Sequence, residues 1–359
     1  MPDTVVQLVA AGETEYDTFS MSDSWSVKCA LKGAFLPMAA IPYVDLKQIY
    51  WGNGLSDTLS IGGRYYFAAC SYNMYSLDRT VCLCFNDSVA ENYGIEVPFE
   101  DVFNGTWTLD KLEAYGDIAT RDVNGDGVMD GNDAYTYGAC DIRDVPEKFL
   151  YASEVHLIDK DDEGMPYVSI FGNEKFVDIL ERARMMFFTE NCFANLELFM
   201  DDRELVTVAE FYNLVSFREM ESDFSILPLP KFDEDQKEYC SRTCNGIFSM
   251  SPVTATELEK IGAVEESLCC WAYKNLIPAY VESSMQNRTA RSEKSAEAIR
   301  IIYDTRVIDL GKLYLLDFFN IPWYNDLYAG NSVVTKLASQ QRLIEKSMKI
   351  FNKNFTNNP

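Results

Sequence analysis

The chain has 359 residues, 47% of them hydrophobic, which is enough to bury a large core and to divide into two domains of ordinary size. Its 56 acidic against 31 basic residues give a formal net charge of −25, which argues against nucleic acid or an anionic membrane surface as partner and favours a neutral or cationic ligand. The acidic residues are spread along the chain, so a solvated surface explains them without naming a function.

Apolar β-branched and aromatic runs alternate with amphipathic stretches, the pattern of an α/β protein. YDTFSM (16–21) predicts a strand, and SWSVKCALKGAF (24–35) a short helix ending at Gly33. GGRYYFAAC (62–70) and VCLCFN (81–86) predict two more strands, separated by a polar, aromatic loop. TWTLDKLEAYGDIATRD (106–122) predicts a helix capped by Thr108, with Leu109, Leu112 and Ile118 facing inward. DFSILPLPKF (223–232) predicts a strand closed by prolines, which remove a backbone donor. From Val333 to Phe355 an apolar stripe of Leu337, Leu343, Ile344, Met348 and Phe351 predicts a final helix.

No run of about 18 apolar residues occurs, and the first residues lack the basic-then-apolar order of an export signal. Among the ten cysteines no zinc spacing appears; Cys240 and Cys244 are the best disulfide pair, and most of the others read as small buried apolar residues. The single histidine, His156, makes histidine-dependent nucleophilic catalysis a poor reading.

The sharpest local motif is DVNGDGVMDGND, residues 122–133. Oxygen donors fall at Asp122, Asn124, Asp126, Asp130 and Asp133, the EF-hand spacing, with Gly127 at the sharp turn and the Val128 carbonyl as a further ligand. Calcium takes about six to eight oxygens in such a wrap, so the motif predicts a structural Ca2+ site, against the plainer reading of a metal-free acidic turn. Aspartate at the twelfth position, in place of the longer glutamate, makes bidentate closure less secure, as in dockerin-like loops.

Taken in order, VAAGETEYD (9–17), LKGAFLPM (31–38), IGGRYYFAAC (61–70), VCLCFNDSVAENYGIEVP (81–98), WTLDKL (107–112), the loop at 122–133, DFSILPLPKFDEDQKEY (223–239) and PAYVES (278–283) resemble the extracellular solute-binding proteins of family 1, the sugar-binding group. The resemblance spans nearly the whole chain. It implies a two-lobed clamp of the type II periplasmic-binding-protein class, with 1–78 and 246–293 in one lobe and 79–245 and 294–359, carrying the calcium-like loop, in the other. It implies a non-enzymatic component of an ABC importer, a monomer that closes about a hinge on a carbohydrate and delivers it to the membrane permease subunits. Family members carry a signal peptide, often with a lipidated cysteine, and a first strand and helix ahead of the segment matching VAAGETEYD. The resemblance therefore presents this sequence as a piece of an exported cell-surface lipoprotein.

The same alignment places ligand contacts at Ser22, Asp23 and Trp25 after the first strand, with Met21 where the family has an aromatic. It places others at Tyr72, Asn73, Asp78 and Arg79 at the first crossing between lobes, and at the aromatics Tyr212 and Trp323. Sugars need flat apolar faces for stacking and polar side chains for the hydroxyls. Plainer readings stand beside these: Trp25 divides evenly between core and ligand, Asp23 and Asp78 are surface carboxylates, and Arg79 equally suits a hinge ion pair. Trp51, Trp107 and Trp271 read as packing residues. Two other function classes remain open. A glycoside hydrolase needs two carboxylates about 5 to 9 Å apart across a cleft, and a calcium-dependent surface carbohydrate-binding module rests on the 122–133 loop alone.

Overall fold

The computed structural model describes residues 2–52, 55–243, 246–286, 289–308, 311 and 329–357. The elements used below begin with α1 (Pro2–Ala10), β1 (Phe19–Ser22), α2 (Asp23–Leu31), β2 (Ala68–Ala69), β3 (Val81–Asn86), α3 (Leu109–Glu113), β4 (Tyr135–Ala139) and α4 (Val145–Ala152). They continue with β5 (Ile158–Lys160), β6 (Pro166–Val168), α5 (Glu174–Phe187), β7 (Cys192–Phe193), β8 (Glu204–Glu210), β9 (Phe224–Leu227) and β10 (Ser241–Arg242). Last come β11 (Ile247–Met250), α6 (Leu258–Trp271), α7 (Glu293–Asp304), β12 (Arg306–Val307) and α8 (Val333–Asn357).

The first lobe is built on a three-stranded antiparallel sheet in the order β1-β11-β2, with Phe19 opposite Met250 and Phe248 opposite Ala69. Helix α2 starts directly from β1. Ser22 supplies an extended N-cap, Asp23 places a carboxylate in the first turn where the helix dipole favours it, and Val27, Cys29 and Ala30 form the buried face. That face packs on Val5 and Val9 of α1.

The second lobe holds a mixed five-stranded sheet in the order β7-β4-β8-β3-β9. β4 runs parallel to β7 and β8, while β3 runs antiparallel to β8 and β9, so Leu83 lies between Val208 and Leu227. VCLCFN and ELVTVAE lack polar alternation because both strands are covered on both faces, and every residue of each is buried. Burying a side chain such as Phe85 contributes about 1.5–3 kcal/mol; it packs edge-on against Trp107 and Tyr115. Helix α5 repeats apolar residues at Phe176, Ile179, Leu180, Ala183, Met186 and Phe187, and the Asn173 side chain caps it by accepting from the Phe176 amide. Within this sheet Glu204 lies over Gly138, where a Cβ would stand 1.8 Å from its Oε2. Burial holds the Glu204 carboxyl well above the ordinary carboxylate range.

Three chain segments run side by side where the lobes meet. Thr80 bridges to Thr243 just before β3, and β10 pairs in parallel with β12, Ser241 opposite Arg306 and Arg242 opposite Val307. The lobes also touch away from these crossings: the Gly62 amide donates to Gly164 O at 2.9 Å, Lys160 to Ser60 Oγ at 2.9 Å, and Tyr66 meets Phe355 of α8.

Several expectations change. The segment 246–293 does not stay with the first lobe: Ile261 and Cys269 pack there with Trp51, whereas Ile277, Val281 and Met285 lie in the second lobe's core with Phe199 and Phe217. The chain has therefore crossed before Ile277, because its apolar face after α6 matches the second sheet. Helix α8, expected in the second lobe, packs against both β6 and α2. The helix expected over 106–122 is confined to α3, since Gly116 with a positive φ turns the chain and leaves Ile118 exposed. Strand pairing over 62–70 is confined to Ala68–Ala69, and the strand after 223 stops at Leu227, before Pro228. Leu343 of α8 faces solvent, one position off the Ile344–Met348 stripe, and Trp271 is 59% exposed in place of packed. Trp51 and Trp107 are fully buried, Trp107 Nε1 donating to Pro228 O. Cys240 is half-buried, whereas Cys244 lies outside the described residues.

Candidate functional site

The end of β8 carries the first part of the site. Strand pairing puts Glu210 opposite Val81, and the chain then turns at Phe211–Tyr212, the Tyr212 amide donating to Asp78 O at 2.9 Å. This brings Tyr212 to the adjacent pair Asp78 and Arg79, more than a hundred residues away in sequence. Arg79 Nε lies 2.8 Å from Glu210 Oε2, and its guanidinium sits 4.6 Å over the Tyr212 ring. Tyr212 keeps 44% of its surface exposed, so one aromatic face is held by a cation while the side chain remains open to a ligand. Asp78 accepts from the Tyr280 hydroxyl.

Behind Arg79 lies a network of buried charge that the sequence did not signal. Lys148 is fully buried between Asp144 at 3.0 Å and Glu210 at 3.4 Å, and Arg242 reaches Glu147 at 2.9 Å and Asp144 at 3.8 Å. Three cations, Arg79, Lys148 and Arg242, thus face three carboxylates, Asp144, Glu147 and Glu210, from both β8 and β10. Each ion is costly to bury alone and is held here by its partners. In sequence these residues are spread over 79–242 without spacing of their own.

The other sequence-derived positions are more dispersed. Ser22 ends β1; Asp23 Oδ1 accepts from the Ser24 amide at 2.7 Å; Trp25 is half-buried and packed on the core. Tyr72 donates to Glu265 Oε2 at 2.7 Å, and Ser249 donates to Oε1 at 3.2 Å, inside the first lobe. Burial raises the Glu265 carboxyl above its usual range, so this pair serves packing of α6 on the sheet. Asn73 lines a small pocket between the lobes, together with Ser71, Ser76, Tyr303 and Arg306. Trp323 lies outside the described residues.

The 122–133 loop closes on itself. Asp122 accepts from the Gly125 and Gly127 amides at 2.6 and 2.8 Å, Asp126 from Val128 at 2.8 Å, Asp130 from Asn132 at 2.8 Å, and Asp133 from Val123 and Asp130, both at 2.8 Å. Arg121 and Ala134 pair at its neck. The wrap matches the motif, including the left-handed φ at Gly127. Among the described residues no three His, Cys, Asp or Glu side chains converge on a common metal position.

With the fold and site laid out, comparison with solved structures defines the class of architecture. The chain has the two-lobed α/β fold of the sugar-binding protein MalE from Xanthomonas citri, at a TM-score of 0.70, 14% identity, and coverage of 99% of this chain and 89% of that one. UgpB from Mycobacterium tuberculosis, solved with glycerophosphocholine, matches at 0.63 and 17% identity over 98% and 88% of the two chains. An ABC substrate-binding protein from Listeria monocytogenes, solved with cycloalternan, matches at 0.63 and 12% over 97% and 88%. No family model and no curated protein sequence matches.

Proposed function

We propose that this protein is the extracellular solute-binding component of an ABC importer, which captures a carbohydrate between its lobes by hinge closure and delivers it unaltered to permease subunits. The observation that carries this reading is the Asp78–Arg79–Tyr212 group. It offers a half-exposed aromatic face, held by a cation, beside polar groups at the crossing between two lobes. Sugar recognition uses such a pairing of flat apolar surface with polar groups. The fold is shared with proteins solved as sugar-binding and substrate-binding components, and among the described residues no helix is long and apolar enough to cross a membrane. An oligosaccharide, a monomeric state and attachment of the exported form to the cell surface by a lipid complete the proposal.

Closure needs no force beyond the ligand's additional contacts in the closed form. A thermal-shift screen with mono- and oligosaccharides, run beside an assay for new reducing ends, tests the reading: stabilisation without release supports capture, whereas release of reducing ends identifies a glycoside hydrolase. The same screen with and without calcium tests the 122–133 loop as a structural ion site. Calcium at about a hundred times its dissociation constant stabilises the folded chain by about 2.7 kcal/mol. An unchanged melting temperature on adding millimolar calcium, or on adding chelator, removes the metal from the account.

A further inference from the structure

The pocket between the lobes is lined by a cation that has no ion pair among the described residues. Arg306 lies at the start of β12, where pairing with Ser241 fixes its backbone. Its Nε donates to Tyr303 O at 3.0 Å and its guanidinium lies 4.3 Å over the Tyr303 ring. Among the described residues no carboxylate comes within 4.0 Å, and neither terminal nitrogen of the guanidinium has a hydrogen-bond partner. The side chain is half-buried on the pocket wall. Burial disfavours its charge, and the nearby Tyr303 and Asp304 offset that cost only in part, without an ion pair to Arg306 among the described residues.

The polar groups around Arg306 are biased the same way. Asn73 Oδ1 is engaged by the Tyr75 amide, which leaves its Nδ2 donor toward the pocket. The Ser76 Oγ accepts from the Ile247 amide and so keeps its own proton to give. Ser71 donates to Tyr50 O at 2.6 Å and contributes no donor. One guanidinium fork, one amide donor and one hydroxyl donor therefore line the same small pocket, with no carboxylate among its lining residues. A neutral sugar uses donors and acceptors alike, whereas a carboxylate or phosphate uses donors alone and pairs with both arms of a guanidinium.

We infer that the ligand of this cleft is a saccharide bearing an anionic substituent, a uronate carboxylate or a phosphate ester, whose charge is received by Arg306 with Asn73 and Ser76. The inference rests on the carbohydrate reading above and narrows it. It also reverses the expectation from net charge: −25 describes the far field of the whole surface, while selectivity is set within a few ångströms by an unpaired guanidinium in a crevice.

The test uses the full chain and matched pairs of probes: glucose, glucuronate and glucose 6-phosphate, and cellobiose against cellobiouronate. Dissociation constants are measured by calorimetry for wild type, R306Q, R306K, N73A and S76A. The expected result is that the acidic member of a pair binds wild type at least about tenfold more tightly than its neutral partner. R306Q should remove that preference, R306K should retain part of it, and the carboxylate and phosphate probes should tell the two sources apart. Should R306Q fail to fold, the preference must still fall in N73A and S76A, whose side chains line the same pocket. Equal or tighter binding of the neutral sugars overturns the charge assignment and leaves carbohydrate capture standing. No stabilisation by any saccharide, neutral or acidic, removes both.

Discussion

Arg242 and Arg306 stand on adjacent strands of one parallel pair, one register step apart, and meet opposite fates. Arg242 turns into the second lobe, where Glu147 and Asp144 receive it and Tyr151 lies beneath its guanidinium at 5.1 Å. Arg306 turns into the crevice between lobes and is met by an aromatic ring and a backbone carbonyl. The same residue type on the same ladder is thus a structural brace in one case and an open valence in the other. What differs is which elements cross its path: α4 brings acids to Arg242, while α7 brings Tyr303 to Arg306.

The largest expected effect tests the braced side. R242M leaves the buried Glu147 without its cation, and denaturant unfolding should show a loss of about 3–5 kcal/mol. E210Q strips a partner from both Arg79 and Lys148, so a loss in the same range of about 3–5 kcal/mol is expected; a loss below about 1 kcal/mol in both variants would show that the network is not a brace. On the open side, R306Q should change the unliganded stability by less than about 1 kcal/mol, as at positions without a buried partner. Tyr212→Ala, at an exposed position, should likewise cost less than about 1 kcal/mol without ligand, yet abolish any saccharide-induced shift in melting temperature.

Glu204 sharpens the contrast from another direction, because it is a buried carboxyl with no ion pair among the described residues. Its folded pKa is raised, so its contribution to stability is fully present below the ordinary carboxylate value of 4.5 and is lost as pH rises through the folded value. Stability of the wild type should therefore fall as pH rises from that value, and E204Q should flatten the slope. A wild-type pH profile identical to that of E204Q would mean that Glu204 titrates normally.

Much of the fold was legible in the sequence because its strongest strands are unbroken apolar runs. VCLCFN fell on β3 to the residue, and the tail stripe gave α8 within two residues of its end. Boundaries failed where tertiary packing overrode local pattern. The 106–122 helix was cut by Gly116, and the return segment crossed early because Ile277 and Val281 fit the second lobe's core. At the site, Asp78, Arg79 and Tyr212 were reached through the family resemblance, which placed them at the lobe crossing and at an aromatic position. Glu210, Lys148, Arg242 and Arg306 were not legible, since whether a charge is paired depends on neighbours a hundred or more residues away.

The close fit of Glu204 over Gly138 imposes an order on how these two positions drift. The Gly138 backbone is not left-handed, so the first obstacle to an alanine there is the glutamate lying above it. Shortening position 204 first opens the space and removes an awkward acid in one move; changing position 138 first meets a steric wall. Descendants of this sequence should therefore carry Gly138 with Glu204, Gly138 with a smaller residue, or two altered residues, and the fourth combination should be missing.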